Sequence, residues 1–394
     1  MAGFAGAVLG LLVLECARHV LCYIMPVLAL IFVAYALAGP HLPWAIAHRG
    51  YSLERICSFL ATDLDGLFGT TMSVSATVIF MFVMFGAFLE SSGCSDFINN
   101  IAISLTGKIK SGPALSAVVA SGLMGSINGS AVANVVGTGT FTIPLMKKTG
   151  YKGEFAGAVE AAASTGGQIM PPIMGAAAFL MAEMVGVQYS EIAMRAIFPA
   201  LLYFTGIFIT VHLEAKRLGL KGIAKEDLPK FVPLFIRQGY LLIPLVTLVA
   251  MVMMGYTMSR SAVIATLLAI LVSIPNKSTR MNPTRFVNAL ETGGKNTLSV
   301  AVACGIAGII AGVVTLTGLG QILISAIVSV AGDRVIIALF LTMLTCIVLG
   351  MGVPTTANYI IMATTCAPIL VNGMGINKIA ANMFVFYFGI VADI

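Results

Sequence analysis

Gly125 to Pro172 reads GSINGSAVANVVGTGTFTIPLM, continues through a short basic segment, and ends in AAASTGGQIMPP. It is apolar enough to lie in a bilayer, yet Gly125, Gly129, Gly137, Gly139, Pro144, Gly166, Gly167, Pro171 and Pro172 interrupt it where a spanning helix should be regular. Lipid cannot hydrogen-bond a freed backbone group, so irregular chain at membrane depth survives only inside protein or against a water-filled cavity. Ser126, Asn128, Ser130, Asn134, Thr138 and Thr140 crowd the first break, and the combination reads as a binding site.

The stretch occurs twice. Gly93, Gly107, Gly125 and Gly150 fall on Gly318, Gly332, Gly350 and Gly375, each 225 residues on. Asn134 and Pro144 fall on Asn358 and Pro368 at 224, so one residue is gained or lost near the break, and Gln168 meets Asp393. Any one Ser or Thr here is accounted for by close helix packing, but packing does not require Pro and Asn at matched breaks. Paired Gly/Pro-interrupted segments at corresponding places in two halves point to a transporter's substrate and ion site.

A chain of 394 residues, 59% hydrophobic and 10% charged, is a polytopic membrane protein. Its net charge of +6 sits in loops, no basic stripe carries interleaved aromatics, and nucleic-acid binding is excluded as a reading. The seven cysteines have no CxxC or Cys/His spacing and read as packing residues. There is no G-x-S-x-G, Walker A or H-E-x-x-H, so neither an enzyme nor a cofactor site is expected.

In order, residues 1–71 read as N-terminal scaffold helices and an external loop; 72–187 as the first repeat, with a hairpin at 113–146; 188–296 as central scaffold helices and basic cytoplasmic loops; and 297–394 as the second repeat, with a hairpin at 335–371. The half-spans 113–123 and 135–146 are about 17 Å long at 1.5 Å per residue, too short to cross ~30 Å of hydrocarbon. They suit a re-entrant hairpin with its tip at Ser126–Asn134. If the 214–237 loop is cytoplasmic, 16 of the 22 Lys and Arg lie inside, leaving Arg49, Arg55, Arg195, Arg260, Arg334 and Lys378 outside. The two hairpins then enter from opposite sides. The fold expected is all-α, an inverted repeat with two re-entrant hairpins and broken transmembrane helices.

Sodium is a hard cation wanting oxygen ligands. The first tip offers Ser126, Asn128, Ser130 and Asn134, and the second offers Thr355, Thr356 and Asn358. Half-helix N-termini suit a carboxylate substrate. Of the ionisable residues within spans, Glu160 lies two turns before the Gly166–Pro172 break and reads as a cation ligand, a proton site or a structural pair; Asp393 is a further possibility.

The tip and its sequel, with ALIFVAYALAGPHLP and GMGVPTTANYIIMATTCAPIL, resemble the large membrane subunit of TRAP (tripartite ATP-independent periplasmic) transporters, in the fused, TAXI-associated form. The resemblance implies a multi-pass inner-membrane permease that imports an organic acid with sodium by an elevator movement. A periplasmic substrate-binding protein would deliver the solute, and a small membrane subunit would be fused N-terminally. It implies that Ser126, Asn128, Ser130 and Asn134, with Thr165, Gly166, Gly167 and Gln168, and Gly350, Gly352, Pro354, Thr355, Thr356 and Asn358, hold sodium and line the substrate cavity, with sodium at the Asn134 and Asn358 tips. Fused permeases also begin with more helices and continue past ADI into T-P-P, so the resemblance implies a chain short at both ends. Competing readings are a symporter that needs no binding protein, a channel, and a membrane-embedded enzyme.

Overall fold

The computed structural model describes every residue except 1, 22, 44, 45, 64, 65, 221, 223–227, 276–278, 333, 352, 393 and 394. Gly352 and Asp393, two of the expected site residues, lie outside the described residues. The described chain is helical throughout, with no strand among its described residues.

The chain opens with α1 (Ala2–Val20), α2 (Ile24–Ala38), α3 (Leu53–Thr62) and α4 (Thr70–Val74), which runs through a π-helical turn into α5 (Phe80–Ser91). The short α3 is capped by the Ser52 hydroxyl, which accepts from Arg55 N–H. There follow α6 (Cys94–Thr106), α7 (Gly112–Asn128), α8 (Ala131–Lys148), α9 (Gly153–Gly167) and α10 (Ala176–Val185). The middle holds α11 (Tyr189–Arg217), α12 (Phe231–Gln238), α13 (Ile243–Met253) and α14 (Met258–Ser273). The last section is α15 (Pro283–Thr317), α16 (Leu319–Ala331), α17 (Val335–Gly350), α18 (Thr355–Thr365) with a π-helical continuation at Ile369–Gly373, and α19 (Lys378–Val391). Among the described residues, six stretches are long and apolar enough to cross a bilayer: Gly3–Val20, Ile24–His41, Thr70–Ser91, Tyr189–Arg217, Phe231–Met253 and Pro283–Thr317.

Two compact units divide these elements. One holds residues 1–79, 177–188 and 297–393; the other holds 80–176 and 189–296. The hairpin α7–α8 and the helix α9 that follows it belong to the second of these, together with α11. The hairpin α17–α18 and α19 belong to the first.

Matching helices end in register. Cys94–Thr106 and Leu319–Ala331 begin and end 225 residues apart, and α9 and α19 begin 225 apart. The glycines that start the first pair explain why: Gly93 (φ 87°) and Gly318 (φ 69°) both occupy the left-handed region, where a side chain would be strained. Gly150 (φ 107°) and Gly375 (φ 68°) do the same before α9 and α19.

The first hairpin corrects the sequence reading. Its arms are helices of 17 and 18 residues, not half-spans of a dozen, and only Gly129 and Ser130 separate them. Gly122 and Gly125 are helical and serve close approach: a Cβ on Gly125 would meet Gly167 Cα at 2.6 Å, and one on Gly122 would crowd the Phe204 ring at 3.1 Å. Pro144 lies inside α8. Ser126 and Asn128 therefore sit in the last turns of α7 rather than on an open loop.

Candidate functional site

Three of the four expected ligands at the first tip, Ser126, Asn128 and Ser130, are engaged locally. The Ser126 hydroxyl donates to Leu123 O at 2.7 Å, and Asn128 Oδ1 accepts from Ser130 N–H at 3.2 Å. Ser130 caps α8, its hydroxyl accepting from Ala133 N–H at 3.3 Å. Gly129, at φ 64°, closes α7 with its N–H on Gly125 O.

Asn134 is different. It stands four residues past the cap of α8 and is fully buried. Its amide N–H donates to Ser121 O at 2.7 Å, which ties the two arms together, while its Oδ1 is buried without a hydrogen-bond partner among the described residues. The second hairpin repeats this. Asn358 also stands four residues past the cap, here Pro354, and is 1% exposed. Its amide donates to Gly389 O on α19 at 2.9 Å, and its Oδ1 is likewise buried without a partner. An orphaned buried acceptor is costly, and its presence in a folded chain calls for an explanation.

Both asparagines lie beside a helix crossing made of very small residues. A Cβ on Gly125 would come 2.6 Å from Gly167 Cα and 2.8 Å from Asn134 Nδ2. A Cβ on Gly350 would come 2.7 Å from Asn358 Nδ2 and 2.8 Å from Ala392 Cβ. Gly167 and Ala392 are themselves 225 apart. Thr165, Gly166 and Gly167 form the buried last turn of α9, and Gln168 follows them, also buried. The segment after Gln168 folds back along the tip: Ile173 N–H donates to Ser126 O at 3.1 Å, and Gly175 N–H to Gln168 O at 2.8 Å. Tyr189, buried, donates its hydroxyl to the Pro172 and Ile173 carbonyls. In the second hairpin Gly350 ends α17, Pro354 caps α18, and Thr355 and Thr356 occupy its first turn.

Sequence reasoning singled out Glu160 but missed its surroundings. The side chain is fully buried on α9. Ser121 Oγ and Thr138 Oγ1 lie 2.7 and 2.5 Å from Oε1, Thr142 Oγ1 lies 2.6 Å from Oε2, and Ser164 Oγ lies 3.2 Å from Oε1. Both arms of the hairpin and α9 thus meet on one carboxyl. The spacing of Thr138 and Thr142 put them on one helix face, but nothing in the sequence links them to Ser121. Among the described residues no Lys, Arg or His pairs with Glu160.

At the corresponding place the second hairpin has no carboxyl. Glu160, Ser121 and Ser164 correspond at 225 to Val385, Cys346 and Gly389; Thr138 and Thr142 correspond at 224 to Met362 and Cys366. Its polar lock is neutral instead, Tyr359 donating its hydroxyl to Asn382 Oδ1 at 2.8 Å.

Residues 8–394 match the model of the tripartite ATP-independent periplasmic transporter, DctM component. The chain belongs to that family. It is therefore a permease rather than an enzyme, a multi-pass protein of the inner membrane that works in solute transport.

One relative, a TRAP transporter large permease protein of Haemophilus influenzae, is 26% identical over 322 residues, covering 81% of this permease and 72% of the relative. The C4-dicarboxylate TRAP transporter large permease DctM of Vibrio cholerae is 26% identical over 194 residues, 49% of this chain and 40% of its own. The isethionate TRAP transporter permease DctMQ of Oleidesulfovibrio alaskensis is 27% identical over 233 residues, 57% and 36%. The permease thus spans well under half of the last two. Among solved structures, the YdaH transporter of Alcanivorax borkumensis shares the fold, with a TM-score of 0.62 over 92% of this chain and 86% of that one at 17% identity.

Proposed function

We propose that this chain is the permease of a sodium-driven TRAP importer of a small organic acid, with Asn134 and Asn358 as the paired elements of its ion and substrate sites. The observation that carries the reading is the repeated asparagine. In each unit it is buried four residues past a helix cap, anchored by its amide to a backbone carbonyl, and left with an unpaired oxygen. An oxygen that can only accept is satisfied by a hydrogen donor or a cation, and sodium, a hard cation, takes oxygen ligands.

The helix bounds shared at 225 residues support an inverted repeat, the architecture that gives a transporter two mirror-related states. The positive-inside count supports hairpins entering from opposite faces. An elevator displacement of the hairpin-bearing parts follows from the family resemblance. So do delivery by a periplasmic binding protein and partnership with a small membrane subunit. The relatives named for C4-dicarboxylates and isethionate make an anionic organic solute the substrate class to test first.

The test is uptake into proteoliposomes holding the permease and its binding protein, with and without a sodium gradient. Asn134→Ala and Asn358→Ala are each expected to weaken sodium activation at least several-fold while leaving the amount of folded protein near wild type. Equal sodium activation in wild type and both variants would remove the asparagines from the ion sites. Uptake that persists without any binding protein would instead favour a self-sufficient symporter.

A further inference from the structure

Against the end of α7, helices α5 and α6 enclose a cavity of about 10 Å³, room for one water-sized occupant. Glu90, Cys94, Ser95, Met124, Ile127 and Asn128 line it, and all of them belong to the same compact unit. Two of its polar groups lack partners. The Ser95 hydroxyl oxygen is buried and makes no hydrogen bond among the described residues. The Glu90 side chain, at the end of the span Thr70–Ser91, has neither an ion pair nor a hydrogen bond among them. A hydroxyl and a carboxyl that share a cavity without bonding each other leave a place for a third group, and orphaned polar atoms of this kind call for one.

The wall supplied by α7 offers further acceptors. Ile127 and Asn128 form the last turn of that helix, where carbonyls have no partner within the helix and the helix dipole is negative. Ile127 O lies 3.8 Å from the Cβ position on Gly86, so it faces α5. Asn128 Oδ1 accepts one hydrogen bond, from Ser130 N–H at 3.2 Å, and keeps a second lone pair.

We propose that this cavity is a cation site, sized for one sodium ion and formed by Glu90, Ser95 and the end of α7. Carboxyl, hydroxyl and carbonyl oxygens are the ligands that hard cations take. A water molecule fits the same space but brings no charge to set against Glu90, and an ionisable side chain within a span calls for a partner. Glu90 is exposed and stands at the mouth of the cavity, which gives an ion its way in. Once bound, the ion ties the end of α7 to α5 and α6. At 225 residues on, Glu90 and Ser95 correspond to Thr315 and Gly320, so the second hairpin has no counterpart. Neither Asn134 nor Asn358 lines the cavity, so the site does not rest on their part in transport.

Cys94 supplies the test, because it lines the cavity and is 1% exposed. The full chain in detergent is incubated with a small thiol reagent in sodium chloride or in choline chloride of equal strength, without substrate. Labelling of each cysteine is then read by mass spectrometry. Sodium is expected to slow the labelling of Cys94 several-fold more than that of Cys304 and Cys346, which are also buried and report general opening of the fold. Glu90→Gln and Ser95→Ala are each expected to lose that difference. Sodium that slows all three thiols alike, or protection of Cys94 that survives both substitutions, would overturn the site. Should Glu90→Gln fail to fold, Ser95→Ala decides alone, since removing an unbonded buried hydroxyl leaves no new group unsatisfied. Protection of Cys94 that needs Glu90, in a permease whose uptake ignores sodium, would support this site and count only against the asparagines.

Discussion

Replacing Gly167 with alanine is expected to be among the most damaging single changes in the chain. A Cβ there would stand 2.4 Å from Gly125 Cα, 2.8 Å from Gly125 C and 3.2 Å from Ser121 O. All three are backbone atoms of α7, so no rotamer change relieves the contact; the two helices must separate. Overpacking of this kind costs about 1–3 kcal/mol and at times more. Separation would also disturb Asn134, whose amide sits 2.8 Å from the Cβ position on Gly125. The expected outcome is a marked fall in melting temperature together with near-complete loss of uptake. Gly157→Ala on the same helix makes the control, because a Cβ there meets nothing within 4 Å. Alanine is the better helix former by about 1 kcal/mol, so this variant should melt higher. If both variants melt like wild type, the close crossing of α7 and α9 is wrong.

Glu160→Ala is expected to destabilise the fold by about 2–5 kcal/mol, the range for emptying a buried site. Part of the loss is limited by local fallback: the Thr138 and Thr142 hydroxyls already lie 2.7 and 3.0 Å from the Asn134 and Thr138 carbonyls, one turn back. The Ser121 hydroxyl loses its carboxyl partner, and nothing refills the space. Unfolding can be followed with a thiol-reactive dye, since Cys94, Cys304, Cys346 and Cys366 are buried until the fold opens. A melting curve within a degree of wild type would mean that the carboxyl does not hold the hairpin.

Much of the architecture is legible in the residues alone. Gly93 and Gly318 announce helix starts because a left-handed residue there admits glycine best, and the 224-residue offset placed Asn134 and Asn358 at equivalent positions. What misled was the meaning of small residues. The glycines and hydroxyls around Gly125 looked like unwound chain, yet Gly122 and Gly125 are helical and serve close approach, and Ser121, Thr138 and Thr142 gather on Glu160. Sequence spacing reports which residues share a helix face, not which other helix meets that face. The Ser121–Glu160 contact spans 39 residues and depends on how three helices cross.

One neighbour of the hairpin bears on the elevator displacement proposed above. Two adjacent rings of α11 sit in notches left by missing side chains: Phe204 lies 3.1 Å from the Cβ position on Gly122, and Tyr203 lies 2.4 Å from that on Gly166. Such teeth resist sliding along the helix axis, so α7, α9 and α11 should shift as a single block. The basic tail of that long helix, at Lys216 and Arg217, would then be carried along with the hairpin. A fluorophore attached at this accessible end would test the proposed displacement of the hairpin without touching the buried site.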